Sequence, residues 1–329
     1  MGHARRVLAA VVAAALLGLP LRSLDAQMPA GMARVGVLAS TSPTVFEPLR
    51  RGLEELGWTP GRNLAFEIRA AEGQLDRLPG LAAELAQARV DLIVAPAPPH
   101  VRAALDATRT IPVVFFAVAD PVGMGFAASL ARPGGNATGV ASSVPEGFLG
   151  KLLELLREAV PQARRVAVFT NPANPQHYCG VDVPELTAPA TALGLTLQFV
   201  EVRTIDMVEV AFAAAVRGRA EAAVVCGDPV IFAARARVAE LATRHRLPTI
   251  FPTREYLGGR GLMSHGPSLA ELARQAARYV DRILRGAKPA DLPIEQPRKY
   301  ELVVNLQAAR ALQLTLPASL LSRADHVIE

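Results

Sequence analysis

The side chains able to do chemistry in this sequence gather where apolar runs give way to turns. Ser40-Thr41-Ser42 follows one such run, Pro98-Pro99-His100 another, and Asp120-Pro121 a third. Asn171-Pro172, Asp228-Pro229 and Ser264-His265-Gly266 occupy matching places further along. Hydroxyls and free backbone N–H groups at a helix start suit a carboxylate, because the first turn carries partial positive charge. An Asp facing them suits an ammonium. Asp-Pro and Asn-Pro are also ordinary signals of turns and helix starts. Ser40, Thr41, Ser42, Pro98, Pro99, His100, Asp120, Asn171, Asp228 and His265 are therefore candidates for ligand contact, each with a plain turn or packing role as the alternative.

Catalytic patterns are missing. The six His residues are scattered without an H-x-x-x-H pair, and no Cys has zinc-site spacing. There is no Walker loop and no G-x-S-x-G elbow. Gly123-Met124-Gly125-Phe126-Ala127-Ala128 fits the loose dinucleotide pattern, but it follows a fourth strand and lacks the acidic residue about 20 positions later. Neither a cofactor nor a metal is expected, and no enzymatic activity. Asn136-Ala137-Thr138 has the spacing of a glycosylation acceptor, yet its Pro/Gly-rich setting reads as a turn.

The elements that must position the candidates alternate strand and helix. Strand-like runs at 34–39, 63–69, 90–95 and 112–118 are each followed by a helical period. After the first, Phe46, Leu49, Leu53 and Leu56 make one apolar face while Glu47, Arg50, Arg51, Glu54 and Glu55 make the other. Thr44 with Glu47 reads as a capping box, and Gly57 ends the helix. The alternation restarts with a helix at 148–160 and strands at 165–170, 195–202, 222–226 and 248–251. Ser268 with Glu271 caps a further amphipathic helix, followed by a strand at 300–305 and a short tail. Such βαβ alternation builds parallel sheets. The fold class expected is α/β, two doubly wound parallel-sheet lobes joined by a hinge, with a cleft at the strand ends. The hinge is placed at 139–143 and near Gly266-Pro267.

The N-terminus bears on where the fold begins. Arg5 and Arg6 precede an apolar run at 7–19, and Leu24-Asp25-Ala26 resembles a cleavage site, so residues 1–26 read as a signal peptide. Taking Arg5, Arg6, Arg22 and Asp25 out of the 35 basic and 30 acidic residues leaves a net charge of +3. With no Lys/Arg block, nucleic acid is not an expected partner. The remaining chain of about 300 residues suits two units better than one. The segments expected are 27–143 as the first lobe, 144–266 as the second, and 267–329 as a return helix, strand and tail packing mostly on the first lobe. Cys179 and Cys226 could meet if the first and third strands of the second sheet are neighbours, in an exported and oxidising setting. The favoured reading keeps them as separate thiols, Cys226 serving as a small buried apolar group.

At these same residues the sequence resembles the ABC-transporter substrate-binding family whose characterised relatives bind tryptophan or tyrosine. The resemblance runs through Arg34-Val35-Gly36-Val37-Leu38, Gly52-Leu53, Leu56-Gly57-Trp58 and Gly61-Arg62-Asn63. It continues at Asp91-Leu92-Ile93-Val94, Asp120-Pro121-Val122-Gly123, Arg132-Pro133-Gly134-Gly135-Asn136 and Asn171-Pro172. It closes with Lys288-Pro289-Ala290-Asp291-Leu292-Pro293, Glu301-Leu302-Val303-Val304-Asn305 and Ser322-Arg323-Ala324-Asp325. The resemblance implies the type I periplasmic-binding fold and the role of substrate-binding component, with an inner-membrane ABC permease as partner. The signal-peptide reading gives a periplasmic location, the strand-end residues suit a small polar solute such as an amino acid or small carboxylate, and a monomer is expected. Two positions depart from the family. Pro98-Pro99 stands where a Thr-Pro pair usually offers a hydroxyl, and His265 stands where a Tyr is usual. Two readings of other kinds share the clamp: a sensory module that signals to a receptor, and an Asp/Glu-racemase-like enzyme. The second needs a cysteine from each lobe, and here both fall in the second.

Overall fold

The computed structural model describes residues 31–329 except 41–45, 144–146, 174–182, 259 and 298, with the side chains of 183–185 also left aside. The segment read as a signal peptide, and Thr41, Ser42, Thr44 and Cys179, lie outside the described residues.

In the first lobe, strands β1 (Ala33–Ala39), β2 (Leu64–Ala70), β3 (Leu92–Val94), β4 (Val113–Val118) and β5 (Ala137–Ala141) form a parallel sheet in the order β2-β1-β3-β4-β5. Helices α1 (Glu47–Glu55), α2 (Leu78–Gln87) and α3 (Pro98–Ala107) connect the first four strands. The inner strands β3 and β4 are covered on both faces and wholly apolar, whereas the edge strand β2 carries Glu67 and Arg69. Val35, Val37 and Ala39 face α1, while Leu38 points to α2 and α3. The turn at Asn136 donates from its side-chain amide to the carbonyls of Thr108 and Ile111. β5 then runs on directly through Ala137-Thr138, where the sequence suggested only a crossover.

The second lobe repeats the pattern with β6 (Arg165–Thr170), β7 (Thr196–Glu201), β8 (Ala222–Val225), β9 (Thr249–Phe251) and β10 (Met263–Gly266). Between them run α4 (Phe148–Ala159, before β6), α5 (Val183–Ala192), α6 (Met207–Arg217), α7 (Pro229–Ala233) and α8 (Arg235–Arg244). The chain then crosses back. Helix α9 (Leu269–Leu284) lies on the first lobe, its N-terminus capped by Ser268 Oγ, which accepts from Glu271 N at 3.3 Å. Its close approach to α1 requires Gly52: a Cβ there would lie 2.8 Å from Ala277 Cβ. Trp58, fully buried, fixes the far end by donating from Nε1 to Asp281 at 2.8 Å.

The final strand does not follow α9. Residues 292–295 lie along β5, with Ala141 N bonded to the Glu295 carbonyl. The chain then crosses once more, and β11 (Glu301–Asn305) pairs antiparallel with β10. Beyond it come α10 (Leu306–Ala311), α11 (Ala318–Arg323) and β12 (His326–Ile328), which pairs parallel with β11. The second sheet thus has seven strands, β12-β11-β10-β9-β8-β6-β7. The expectation that strand and tail pack on the first lobe is corrected for a physical reason. Leu302 and Val304 face one buried side and Val303 the other, and pairing with β10 covers both. The β5 edge is already taken by 294–295.

Three crossings therefore join the lobes, after β5, after β10 and before β11. Ser143 ties the first to the third. Its hydroxyl donates to the Ala119 carbonyl at 2.9 Å and accepts from Gln296 Nε2 at 3.1 Å, while its own carbonyl accepts from the Tyr300 hydroxyl.

Candidate functional site

The sequence candidates sort into two walls, one per lobe. In the first lobe Ser40 follows β1 and His100 sits in the opening turn of α3, with Ser40 Oγ 3.0 Å from His100 Nε2. The α3 start explains Pro98 and Pro99: fixed φ and a missing N–H suit the first helical turn, where no intrahelical bond is lost. His100 is wholly buried, and burial pushes its pKa down to about 4, so the imidazole is neutral. Asp120 stands apart. It is exposed, and its Oδ1 accepts from Gly123 N at 2.8 Å, closing the turn after β4.

The second lobe brings its two candidates together. Asn171 follows β6, Asp228 follows β8, and these strands are neighbours in the sheet. The Asn171 amide donates to both Asp228 carboxylate oxygens at 3.3 Å. Asp228 also caps α7, with Oδ1 accepting from Val230 N at 2.8 Å and Ile231 N at 3.1 Å. Both side chains are buried, Asp228 to 3% exposure. Bound by several N–H groups, such a carboxylate stays rigid and correctly aimed.

Next to them lies a turn that sequence reasoning missed, Thr253 to Tyr256, at the end of β9. Its signal was present in Phe251-Pro252, the same strand-then-proline pattern as Asn171-Pro172 and Asp228-Pro229. The Tyr256 ring stacks on Phe251 at 5.2 Å and meets Phe232 edge-on at 5.6 Å. Burial, reinforced by Asp228, pushes its phenol pKa up. Burial likewise raises the Glu255 carboxyl.

His265 goes elsewhere. Its ring stacks on Phe148 at 5.6 Å, the first residue of α4, with Tyr300 at 6.5 Å, beside the crossings. Burial lowers its pKa, and Lys151 adds to the effect. Cys226 is disulfide-bonded, which overturns the favoured reading of two separate thiols; the chain's other cysteine is Cys179.

The walls meet across the cleft. Gly73, at φ +77°, donates its N–H to the Ser40 carbonyl at 2.8 Å. A Cβ at Gly73 would lie 2.1 Å from Ile205 Cδ1 and 3.4 Å from Ala233 Cβ, both in the second lobe. The first lobe is thus closed against the β7–α6 loop and against α7, the helix that Asp228 caps. A neutral hydroxyl–imidazole pair stands on one side, and a carboxylate with aromatic neighbours on the other. A groove of about 200 Å³ between α1 and α9, lined by Gly52, Glu55, Leu56, Arg274, Gln275 and Arg278, includes none of these residues. Among the described residues no cluster of His, Cys, Asp and Glu could hold a metal ion.

Comparison with known proteins points the same way. A family model described as "ABC transporter substrate binding protein" matches residues 43–328. The chain is 25% identical over 264 residues to a tyrosine-binding protein of Clostridioides difficile, covering 80% of this chain and 75% of that one. Among solved structures, a conserved domain protein of Vibrio cholerae is 28% identical with a TM-score of 0.79, over 90% of this chain and 99% of that one. An ABC domain of Streptococcus pneumoniae in complex with L-Trp is 25% identical with a TM-score of 0.79, over 91% of this chain and all of its own.

Proposed function

We propose that this chain, which belongs to the ABC transporter substrate-binding protein family, captures a small amino-acid-like solute between its lobes and hands it to a permease. The family binds and does not catalyse, and it works outside the cytoplasm. The finer reading is a periplasmic monomer, exported by residues 1–26, whose solute carries a cationic group toward Asp228 and an acceptor group toward Ser40.

The observation that carries this reading is the apposition of the two walls, with Gly73, whose N–H bonds the Ser40 carbonyl, held against Ile205 and against Ala233 of the Asp228-capped helix. Buried, pre-bonded polar groups facing one another across a closing cleft are what a solute clamp needs. The relatives' ligands, tyrosine in one and L-Trp in the other, support an amino acid here. The Cys226 disulfide fits both the non-catalytic role and the location. Cys226 is committed to a disulfide, so it offers no thiolate, and the disulfide itself suits an oxidising compartment. Calorimetric titration of the full chain with each L-amino acid, and with small carboxylates as a control series, tests the reading. Saturable one-to-one binding of at least one amino acid is expected. Binding of none, or equal binding of the amino-free carboxylates, contradicts it.

A further inference from the structure

In the turn after the strand next to the one that leads to Asp228 lies a polar atom without a partner among the described residues. Tyr256 is 1% exposed and packed between Phe251 and Phe232, yet its hydroxyl makes no hydrogen bond among the described residues. Protein interiors pair nearly all such groups, because a buried hydroxyl without a partner loses its bonds to water and gains nothing. Its position is not incidental. β9, which leads into the Tyr256 turn, is hydrogen-bonded to β8, which leads to Asp228. Asp228 and Glu255 act on the phenol electrostatically, and Arg235 opposes them. Helix α7 supplies both Phe232, whose ring meets Tyr256, and Ala233, which reaches Gly73 of the first lobe. The Tyr256 ring thus packs against the same short helix that meets the first lobe.

We propose that the Tyr256 hydroxyl is a specificity-determining contact, accepting a hydrogen bond from the solute's ammonium group beside the Asp228 carboxylate. The assignment rests on reading the cleft as an amino-acid site. An ammonium carries three donors and no acceptor, so a carboxylate and a phenol oxygen together suit it better than either alone. Hydrogen bonds in which one partner is charged are the stronger kind, which makes the missing partner worth waiting for. A solute ammonium would supply the Tyr256 hydroxyl with the partner that the described residues do not.

Tyr256→Phe separates this role from a structural one, since it removes the oxygen and keeps the ring. The full chain and the variant are titrated calorimetrically with the L-amino acids. Each amino acid that binds is paired with its des-amino analogue, as indole-3-propionate for L-tryptophan. Ligand-free melting temperatures are measured alongside. The expected result is at least tenfold weaker amino-acid binding by Tyr256→Phe, with an unchanged or raised melting temperature without ligand. Binding of the des-amino analogue, already weak, is expected to change less than twofold. Amino-acid affinity within twofold of the parent chain overturns the inference and leaves the solute reading intact. A loss of affinity matched by an equal loss for the des-amino analogue, or by a lower ligand-free melting temperature, also overturns it, because both mark general damage. If the parent chain binds no amino acid, the inference and the reading beneath it both fall.

Discussion

The two lobes share one architecture, a doubly wound sheet in the order 2-1-3-4-5, and differ at the edge where that architecture places a site. The first lobe presents a neutral pair, Ser40 with the buried imidazole of His100, and keeps its carboxylate, Asp120, exposed in a turn. The second presents a buried carboxylate, Asp228, held by Asn171 and two backbone N–H groups, with Tyr256 and Glu255 behind it. The same strand-then-proline signal thus yields two kinds of wall. What separates them is burial: a carboxylate kept out of water must be bonded by design, whereas an exposed one only closes its turn.

The largest expected effect tests whether the lobes are separable in stability. Trp58 is fully buried and ties the returning helix α9 to the first lobe through Asp281, which also accepts from Arg285 Nε at 2.7 Å. Trp58→Ala is expected to cost about 3–5 kcal/mol, the range for removing a large buried aromatic. In urea unfolding, a first-lobe transition should move to lower denaturant ahead of the second. Loss confined to the second lobe, or no loss, would break the comparison.

Acidification should act in opposite directions on two buried groups, His100 of the first lobe and Glu255 of the second. His100 has a folded pKa of about 4 against 6.5 in the free side chain, so the unfolded chain binds the extra proton between those values. Stability is present above pH 6.5 and falls as pH drops toward 4, by about 1.4 kcal/mol per unit and about 3 kcal/mol in all. Glu255 has the reverse sign. Its raised pKa favours the protonated fold, so its contribution is full below the free value and is lost as pH rises through the folded one. Melting curves between pH 7 and 4 check both. His100→Gln should flatten the acid loss, and Glu255→Gln should stabilise at pH 7 but not at pH 4. An unchanged acid slope in His100→Gln contradicts the first assignment.

Next in size is the contrast between the two aspartates. Asp228→Asn keeps a good helix cap, so the fold should hold, but amino-acid binding should weaken by about 1.5–3 kcal/mol, the range for a hydrogen bond to a charged group. Asp120→Asn, at an exposed turn, should change binding and stability by less than about 0.5 kcal/mol. Equal effects of the two substitutions would mean that burial does not distinguish the walls.

Much of the scaffold is legible in the residue pattern. The 165–170 run becomes β6, the 148–160 helix becomes α4, and Ser268 caps α9, since local periodicity and capping chemistry decide such elements. The strand β5 is hidden because Gly134, Gly135 and Gly139 make its surroundings look like a linker, although pairing with β4 decides its state. The lobe taken by 301–305 depends on which sheet edge is still open, a question of tertiary order that no local pattern answers. At the site, Asp228 and Asn171 follow from the rule that ligands meet parallel strands at their C-terminal ends. His265 obeys the same rule and still fails to join them, because the ring of Phe148 offers it a stacking surface by the crossings. Tyr256 escapes a reading by polar residue type, since its ring reads as core and only its hydroxyl does not.

Small-angle X-ray scattering, with and without a saturating concentration of whichever amino acid binds most tightly, tests the clamp most directly. If the solute is held between the lobes, saturation should fix the closed arrangement seen at the Gly73, Ile205 and Ala233 contact, with a smaller radius of gyration and a sharper distance distribution than the solute-free protein shows in solution. An identical profile at saturation would contradict the account, placing the solute elsewhere than between the two walls.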